Sequence, residues 1–171
     1  MFFTRSTQLF AALLAAVGIG FTANAKDPAK TFARDFAPVL EKVTVDGKIF
    51  FEDGQKAKTL AVKADKPLVI QYFFKNTGTA APSENGRIFV HFTDAKKKGL
   101  TGGDFDPKTP TTKWQKDFSG AFPRTVNLKK FKGQTVKVFL GMYFPKQGGV
   151  RLAIKGCGGS KRIYVGSLTL E

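Results

Sequence analysis

The sequence has very few residues of the types that build metal sites and thiol chemistry, with one cysteine, Cys157, and one histidine, His91, among 171 residues. A single cysteine cannot form a disulfide within the chain. Zinc sites draw on several His or Cys ligands, so a zinc site is disfavoured as well. A Ser-His-Asp triad would have to use His91, which lies within a predicted strand, where a hydrogen-bonded structural histidine is the favoured interpretation. We therefore expect no enzyme activity, no metal and no cofactor.

Acidic side chains are also scarce, with 13 Asp and Glu against 28 Lys and Arg, and the formal net charge is +15. Such a charge favours anionic partners, for example lipopolysaccharide, phospholipid head groups or acidic polymers of the cell envelope. The basic residues are scattered, so a solubilising surface without a specific ligand stays open as the alternative. Nucleic acid is disfavoured as a partner, because the sequence carries no recognisable nucleic-acid-binding module.

Long apolar runs are absent except in the first 25 residues, which read MFFTRSTQLFAALLAAVGIGFTANA. Arg5 precedes an apolar stretch of signal-peptide length, and Ala23-Asn24-Ala25 matches the small-residue cleavage pattern. The stretch is short for a membrane span, which needs about 20 residues. The sequence therefore predicts a signal peptide over residues 1–25 and an exported protein, periplasmic or extracellular, that is not an integral membrane protein. Without Arg5, the chain carries 27 basic and 13 acidic side chains, a net charge of +14.

Helical periodicity is also scarce. The one short segment that shows it lies in residues 26–41, where Phe32 and Phe36 are spaced for a helical turn. We interpret residues 26–41 as an N-terminal arm. Further along, about eight short β segments, each with one apolar face, alternate with turns rich in Gly, Pro, Asn and Asp. The sequence therefore predicts an all-β domain over residues 42–171, an antiparallel two-sheet β-sandwich of the immunoglobulin-like (Ig-like) kind.

Three motifs occur in a recognisable order within residues 39–171: RIFVHFTD, then DFDPKTPTTKW, then GMYFPKQGGVRL. This order resembles the extracytoplasmic β-sandwich domain at the C-terminus of bacterial mannosyltransferase-type membrane glycosyltransferases. The resemblance implies an Ig-like sandwich in a carbohydrate-handling context. The catalytic portion of those enzymes is not found in this sequence, so their activity is not carried over. The matching residues are Phe89, His91, Asp94, Asp106, Pro107, Pro110, Thr111, Trp114, Gly141, Tyr143, Gly149, Arg151 and Leu152.

The segment GDFDPKTPTTKW, residues 103–114, contains two aspartates with the D-x-D spacing that some metal-dependent glycosyltransferases use. Two oxygen ligands are few for calcium, which takes about six to eight. We therefore favour a proline-stiffened turn in which Asp104 and Asp106 bond nearby backbone N–H groups. A metal site and an Asp-dependent hydrolase remain as the weaker alternatives.

Trp114, the only tryptophan, is the leading candidate ligand residue. If exposed, its indole would stack on a sugar ring while Asp104, Asp106 and Thr111 form hydrogen bonds to the hydroxyls. The alternative, which we favour, is that Trp114 caps one end of the core and bonds a carbonyl through its indole N–H. The exposure of the ring decides between the two.

Arg151 lies on a predicted strand and has two interpretations, of which we favour the first. It pairs with Asp94 or Asp106 and so pins the acidic loop, or it presents its guanidinium to a phosphate or uronate. From all these features we expect a non-catalytic binding module for a polysaccharide or another anionic cell-envelope polymer. A structural protein that binds a protein partner in an envelope complex is the alternative.

Overall fold

The computed structural model of the chain describes residues 29–171, and the predicted signal peptide lies outside them. Within this range, one helical turn, α1 (Ala29–Phe32), precedes ten β-strands and three short 3₁₀ turns. No helix in the described range is long and apolar enough to cross a membrane. The strands are β1 (Pro38–Val45), β2 (Lys48–Glu52), β3 (Lys58–Val62), β4 (Leu68–Asn76), β5 (Arg87–Thr93), β6 (Gly99–Gly102), β7 (Ser119–Val126), β8 (Thr135–Phe144), β9 (Val150–Leu152) and β10 (Ile163–Leu170).

The strands form two sheets in a sandwich-like arrangement. The smaller sheet has the order β2-β1-β4-β7, and the larger has the order β3-β10-β8-β5-β6, with β9 paired to β8. The all-β, two-sheet prediction is therefore confirmed. The number of strands is larger than predicted for two reasons. β6 has only four residues, too few for an alternating pattern to show, and β1 and β2, which follow each other closely in sequence, are separate strands. One pairing also departs from the expected antiparallel order, since β3 and β10 run parallel.

Side-chain alternation places the apolar residues between the sheets. In β4, Leu68, Ile70, Tyr72 and Phe74 are buried, while the side chains between them are exposed or half-buried. In β8 the inward positions are likewise buried from its second residue to its last. Each such side chain contributes about 1.5–3 kcal/mol when it is fully removed from water. The buried residues of both sheets form one cluster, which holds the sheets together.

The N-terminal segment packs on the sandwich. Phe32 meets Phe144 edge to face, with ring centroids 4.6 Å apart. The Ala37 N–H donates a hydrogen bond of 3.0 Å to Oδ1 of Asn76. β1 begins at Pro38, inside the segment that the sequence pattern assigns to the arm. Proline is tolerated as the first residue of a strand, so Pro38 starts a strand here and does not merely end the helical turn.

Candidate functional site

The acidic loop, which contains Asp104 and Asp106, runs along β5 and forms a short additional backbone pairing with it. Phe105 and Ile88 form an isolated antiparallel bridge, and Phe105 points into the core. Because neighbouring side chains of an extended segment point to opposite sides, Asp104 points away from the core. Its Oδ1 accepts a hydrogen bond from the Val90 N–H at 3.2 Å. Asp104 therefore bonds the backbone, as the turn interpretation expects.

Asp106 pairs with Arg87, and the proposed pairing of Arg151 with Asp94 or Asp106 is wrong. Nε of Arg87 lies 2.9 Å from Oδ1 of Asp106, an ion pair whose N–H is not aligned for a hydrogen bond. β8 lies between β5 and β9. Arg87 on β5 and Arg151 on β9 are therefore paired with Tyr143 of β8 from opposite sides. Only Arg87 is on the side of the acidic loop. No group of three or more His, Cys, Asp or Glu side chains in the described part of the chain is placed to hold a metal ion.

Trp114 is fully buried, with 0% of its surface exposed, so a sugar ring cannot stack on it in this structure. Its ring stacks on Phe118 and Phe122, with centroids 4.7 and 5.3 Å away. The indole N–H donates a 2.9 Å hydrogen bond to the carbonyl of Thr109. The 3₁₀ turn Thr111–Lys113 directs the chain inward at this point, so that the indole closes one end of the core.

Thr111 is also buried and has a structural role. Its Oγ1 accepts a hydrogen bond from the Gly86 N–H at 2.7 Å and donates one to the Glu84 carbonyl at 3.4 Å. The hydroxyl therefore holds the segment before β5 against the 3₁₀ turn. Neither Thr111 nor Trp114 is accessible to a ligand, and the structure does not bring these two residues together with Arg151 as one site.

A group of aromatic side chains that the sequence interpretation did not propose as a ligand site lies on the outward face of the larger sheet. His91 on β5 lies opposite Phe139 on β8, which in turn lies opposite Tyr164 on β10. Ring centroids are 5.0 Å apart for Phe89 and His91, 6.2 Å for Phe89 and Tyr143, and 5.3 Å for Phe139 and Tyr164. We call this group, formed by Phe89, His91, Phe139, Tyr143 and Tyr164, the outer aromatic surface.

A glycine in β8 shapes the middle of this surface. Phe89 lies opposite Gly141, and a Cβ atom at Gly141 would lie 2.3 Å from Cζ of Phe89 and 2.8 Å from the carbonyl oxygen of Lys161. The Phe89 ring therefore rests directly on the β8 backbone. This position lets the ring reach the guanidinium of Arg151, which lies 4.8 Å from its centroid.

Two arginines lie on the outer aromatic surface and converge on one serine. Arg151 covers Phe89, and the guanidinium of Arg162 lies 4.4 Å from the centroid of Phe139. Nη1 of Arg151 donates to the Ser160 carbonyl at 3.3 Å, and Nε of Arg162 donates to the Ser160 hydroxyl at 3.1 Å. A guanidinium has five N–H donors, so most donors of both remain for an anion. The ring contacts and these hydrogen bonds restrict both side chains before any ligand arrives.

An open cavity of about 660 Å³ adjoins this surface between β5, β6 and Arg162. Its walls combine two cationic side chains, one carboxylate, an imidazole and two hydroxyls. Its volume falls within the range of about 300–1,000 Å³ that small-ligand sites occupy. The lining residues are His91, Thr93, Lys97, Gly99, Leu100, Thr101, Gly102, Asp104 and Arg162.

His91 connects the outer aromatic surface with the cavity. Partial burial lowers the pKa of its imidazole, the charge of Asp104 opposes this change, and Arg151 and Arg162 add to it. The ring is therefore neutral at neutral pH. It packs against Phe89 at a tilt of 35°.

The sequence did contain a signal for the outer aromatic surface. Since side chains alternate along a strand, Phe89 and His91 fall on the face of β5 opposite the core, and Phe139 and Tyr143 do the same on β8. Aromatic rings at outward positions of two strands are the pattern by which this surface can be found in the sequence. Comparison with known proteins adds no further clue, since no family model and no curated protein matches the sequence.

Proposed function

We propose that this protein is a non-catalytic binding module, exported to the periplasm or the exterior, for a polysaccharide or another anionic cell-envelope polymer. In this proposal the outer aromatic surface is the binding face. The Ig-like class of sandwich and the relationship to the mannosyltransferase domains belong to the same proposal. The net charge of +14 for residues 26–171 supports an anionic ligand.

The observation that carries the proposal is the pair of arginines held on aromatic rings. Stacking and the bonds to Ser160 restrict the side chains of Arg151 and Arg162, so they lose less conformational entropy when they bind an anion. Tyr164 is 40% exposed beside them and offers an aromatic face to the apolar side of a sugar ring. Fixed anion donors next to an exposed aromatic ring are the groups that an acidic polysaccharide requires.

The test measures binding of the chain from residue 26 onward to polygalacturonate, lipopolysaccharide and neutral dextran. The test variant combines Arg151→Gln and Arg162→Gln, and the control combines Lys129→Gln and Lys130→Gln, which removes the same charge from an exposed turn. We expect the arginine variant to bind polygalacturonate or lipopolysaccharide at least about tenfold more weakly, since a hydrogen bond to a charged group contributes about 1.5–3 kcal/mol. The control should change affinity less than about twofold, as for exposed charges.

Equal losses in the two variants would show that binding depends on net charge alone and would contradict the proposal. The same conclusion would follow if raising the salt from about 0.15 to 0.5 M abolished all binding, because screening removes exposed electrostatic attraction.

The alternative of a protein partner in an envelope complex has one structural feature in its favour. β7 is eight residues long and lies at the edge of the smaller sheet, where a strand of another protein can add to it. Cross-linking in native envelopes followed by mass spectrometry separates the two functions. A partner protein recovered in constant ratio favours the alternative, and heterogeneous polymer adducts favour the binding module.

A further inference from the structure

One wall of the cavity contains an unpartnered buried hydroxyl. Thr93 is only 3% exposed, and its Oγ1 has no hydrogen-bond partner within the described residues. Buried polar side-chain atoms are nearly always paired, so an unpaired one calls for an explanation. Thr93 lies at the end of β5, opposite Lys137 on β8 and Gly99 on β6, and it lines the cavity. A rotation about its Cα–Cβ bond can direct the hydroxyl toward a bound group.

The charged groups of the cavity indicate which ligand this is. Lys97 and Arg162 attract an anion, but Asp104 lies in the same lining and repels one. Oδ1 of Asp104 is bound to the backbone, so its other oxygen can accept hydrogen bonds. A bare anion such as phosphate gains little from a carboxylate. A ligand that carries both an anionic group and several hydroxyl donors can bind the cationic side chains with the first and the carboxylate with the second.

We propose that this cavity is a subsite for one acidic sugar unit of the uronate type. Arg162 and Lys97 bind its carboxylate, and Asp104 and Thr93 bind its hydroxyls. Arg162 also lies on the outer aromatic surface, so the subsite is continuous with it and holds one unit of the longer polymer. This inference rests on the function proposed above and adds the chemical class of the ligand.

The test uses a trimer of galacturonic acid, with a neutral galactose trimer and inorganic phosphate as comparisons. Thr93→Val keeps the shape of the side chain and removes the unpaired hydroxyl. We expect the variant to melt at the same or a higher temperature, since no hydrogen bond is lost in the free protein. It should bind the galacturonate trimer about three- to tenfold more weakly, the loss expected for one hydrogen bond. Thr169→Val is the matched control and should leave affinity unchanged, because Thr169 lies on β10, on the same outward face of the larger sheet as Thr93, but outside the cavity lining.

A second variant, Asp104→Asn, keeps an oxygen for the Val90 N–H and removes the charge. The preference for the trimer over phosphate should fall by about tenfold or more, because the bare anion is no longer repelled while an acceptor for hydroxyls is lost. An unchanged preference, or phosphate that competes as well as the trimer with the unmodified chain, overturns the assignment to an acidic sugar.

The failure of this inference can be told apart from the failure of the proposed function. If the Arg151 and Arg162 variant loses polymer binding while Thr93→Val retains full affinity for the trimer, the subsite is wrong and the binding face remains. If the unmodified chain binds neither polygalacturonate nor the trimer, the assignment to a uronate is overturned. If it binds no anionic polymer at all, the proposed function fails with it.

Discussion

The replacement Trp114→Phe tests whether the only tryptophan supports the fold or the function. The change removes the indole N–H, which donates a 2.9 Å hydrogen bond to the Thr109 carbonyl, and replaces two fused rings with one. The smaller ring can keep part of the stacking on Phe118 and Phe122, whose centroids lie 4.7 and 5.3 Å away. Because the ring is completely buried, the smaller side chain leaves a cavity in the core, which lowers the free energy of unfolding.

The loss has two parts. The hydrogen bond contributes about 1 kcal/mol, and the cavity left by the missing ring atoms adds about 1–2 kcal/mol. We expect the free energy of unfolding of Trp114→Phe to fall by about 2–3 kcal/mol, which lowers Tm by on the order of 10 °C for a domain of this size. Polymer affinity, measured well below the new Tm, should stay unchanged.

The assay is urea and thermal unfolding followed by far-ultraviolet circular dichroism, since the variant has no tryptophan left to report by fluorescence. Tyr164→Leu is the matched control, because Tyr164 is a large aromatic residue that is 40% exposed on the outer aromatic surface. Its stability should change by less than about 1 kcal/mol, as for most surface positions, and its polymer affinity should fall. A Trp114→Phe variant that unfolds like the unmodified chain but fails to bind polymer would refute this reasoning.

Three further predictions concern Asn76, Gly141 and His91. Asn76 is buried, and its Nδ2 donates to the backbone carbonyls of Ala80, Trp114 and Gln115. Asn76→Asp should lower the free energy of unfolding by more than about 3 kcal/mol in urea titrations, because it sets a buried carboxyl oxygen against these three carbonyls. A loss below about 1 kcal/mol would contradict a stabilising role of this amide. Gly141→Ala should lower the free energy of unfolding by about 1–3 kcal/mol, as for overpacking. It should also weaken polymer binding, because the new Cβ displaces Phe89. Unchanged binding would show that the position of Phe89 does not matter for the site. For His91, a folded-state pKa below the unfolded value of about 6.5 means that the unfolded chain binds the proton first. The contribution of His91 to the free energy of unfolding should therefore be fully present above pH about 6.5 and be lost as the pH falls through the lowered folded-state pKa. His91→Gln should remove this pH dependence. If the free energy of unfolding of both chains changes equally with pH between about pH 5 and 7, the prediction is contradicted.

Local patterns predicted the layers of the fold because alternation is a property of neighbouring residues. In β4, buried positions alternate with exposed or half-buried ones along its length, and the same period is visible in its sequence. β6 has four residues and shows no period. The parallel pairing of β3 with β10 joins segments far apart in the chain, and its register depends on the packing of the whole sheet. Neither the short strand nor the parallel pairing can therefore be recognised from a short stretch of sequence.

The candidate site was harder to predict for a related reason. Hydrophobicity marks Trp114 as important but does not tell whether a large ring closes the core or faces a ligand. The partner of Arg151 depends on which side of β8 each neighbouring strand lies and on the space that Gly141 leaves for Phe89. The outer aromatic surface joins β5, β8 and β10, so it becomes visible only when the sheet order is known.

The position of β10 sets the time at which the domain can fold. β3 ends at Val62 and β10 begins at Ile163, and β10 lies between β3 and β8 in the larger sheet. Because pairings between distant segments form slowly, this sheet cannot close while the chain is still being synthesised up to residue 163. Until then β3 and one side of β8 expose unpaired edges, which favour aggregation. The larger sheet is complete only when β10 joins it, and the strands made earlier stay incompletely paired until then.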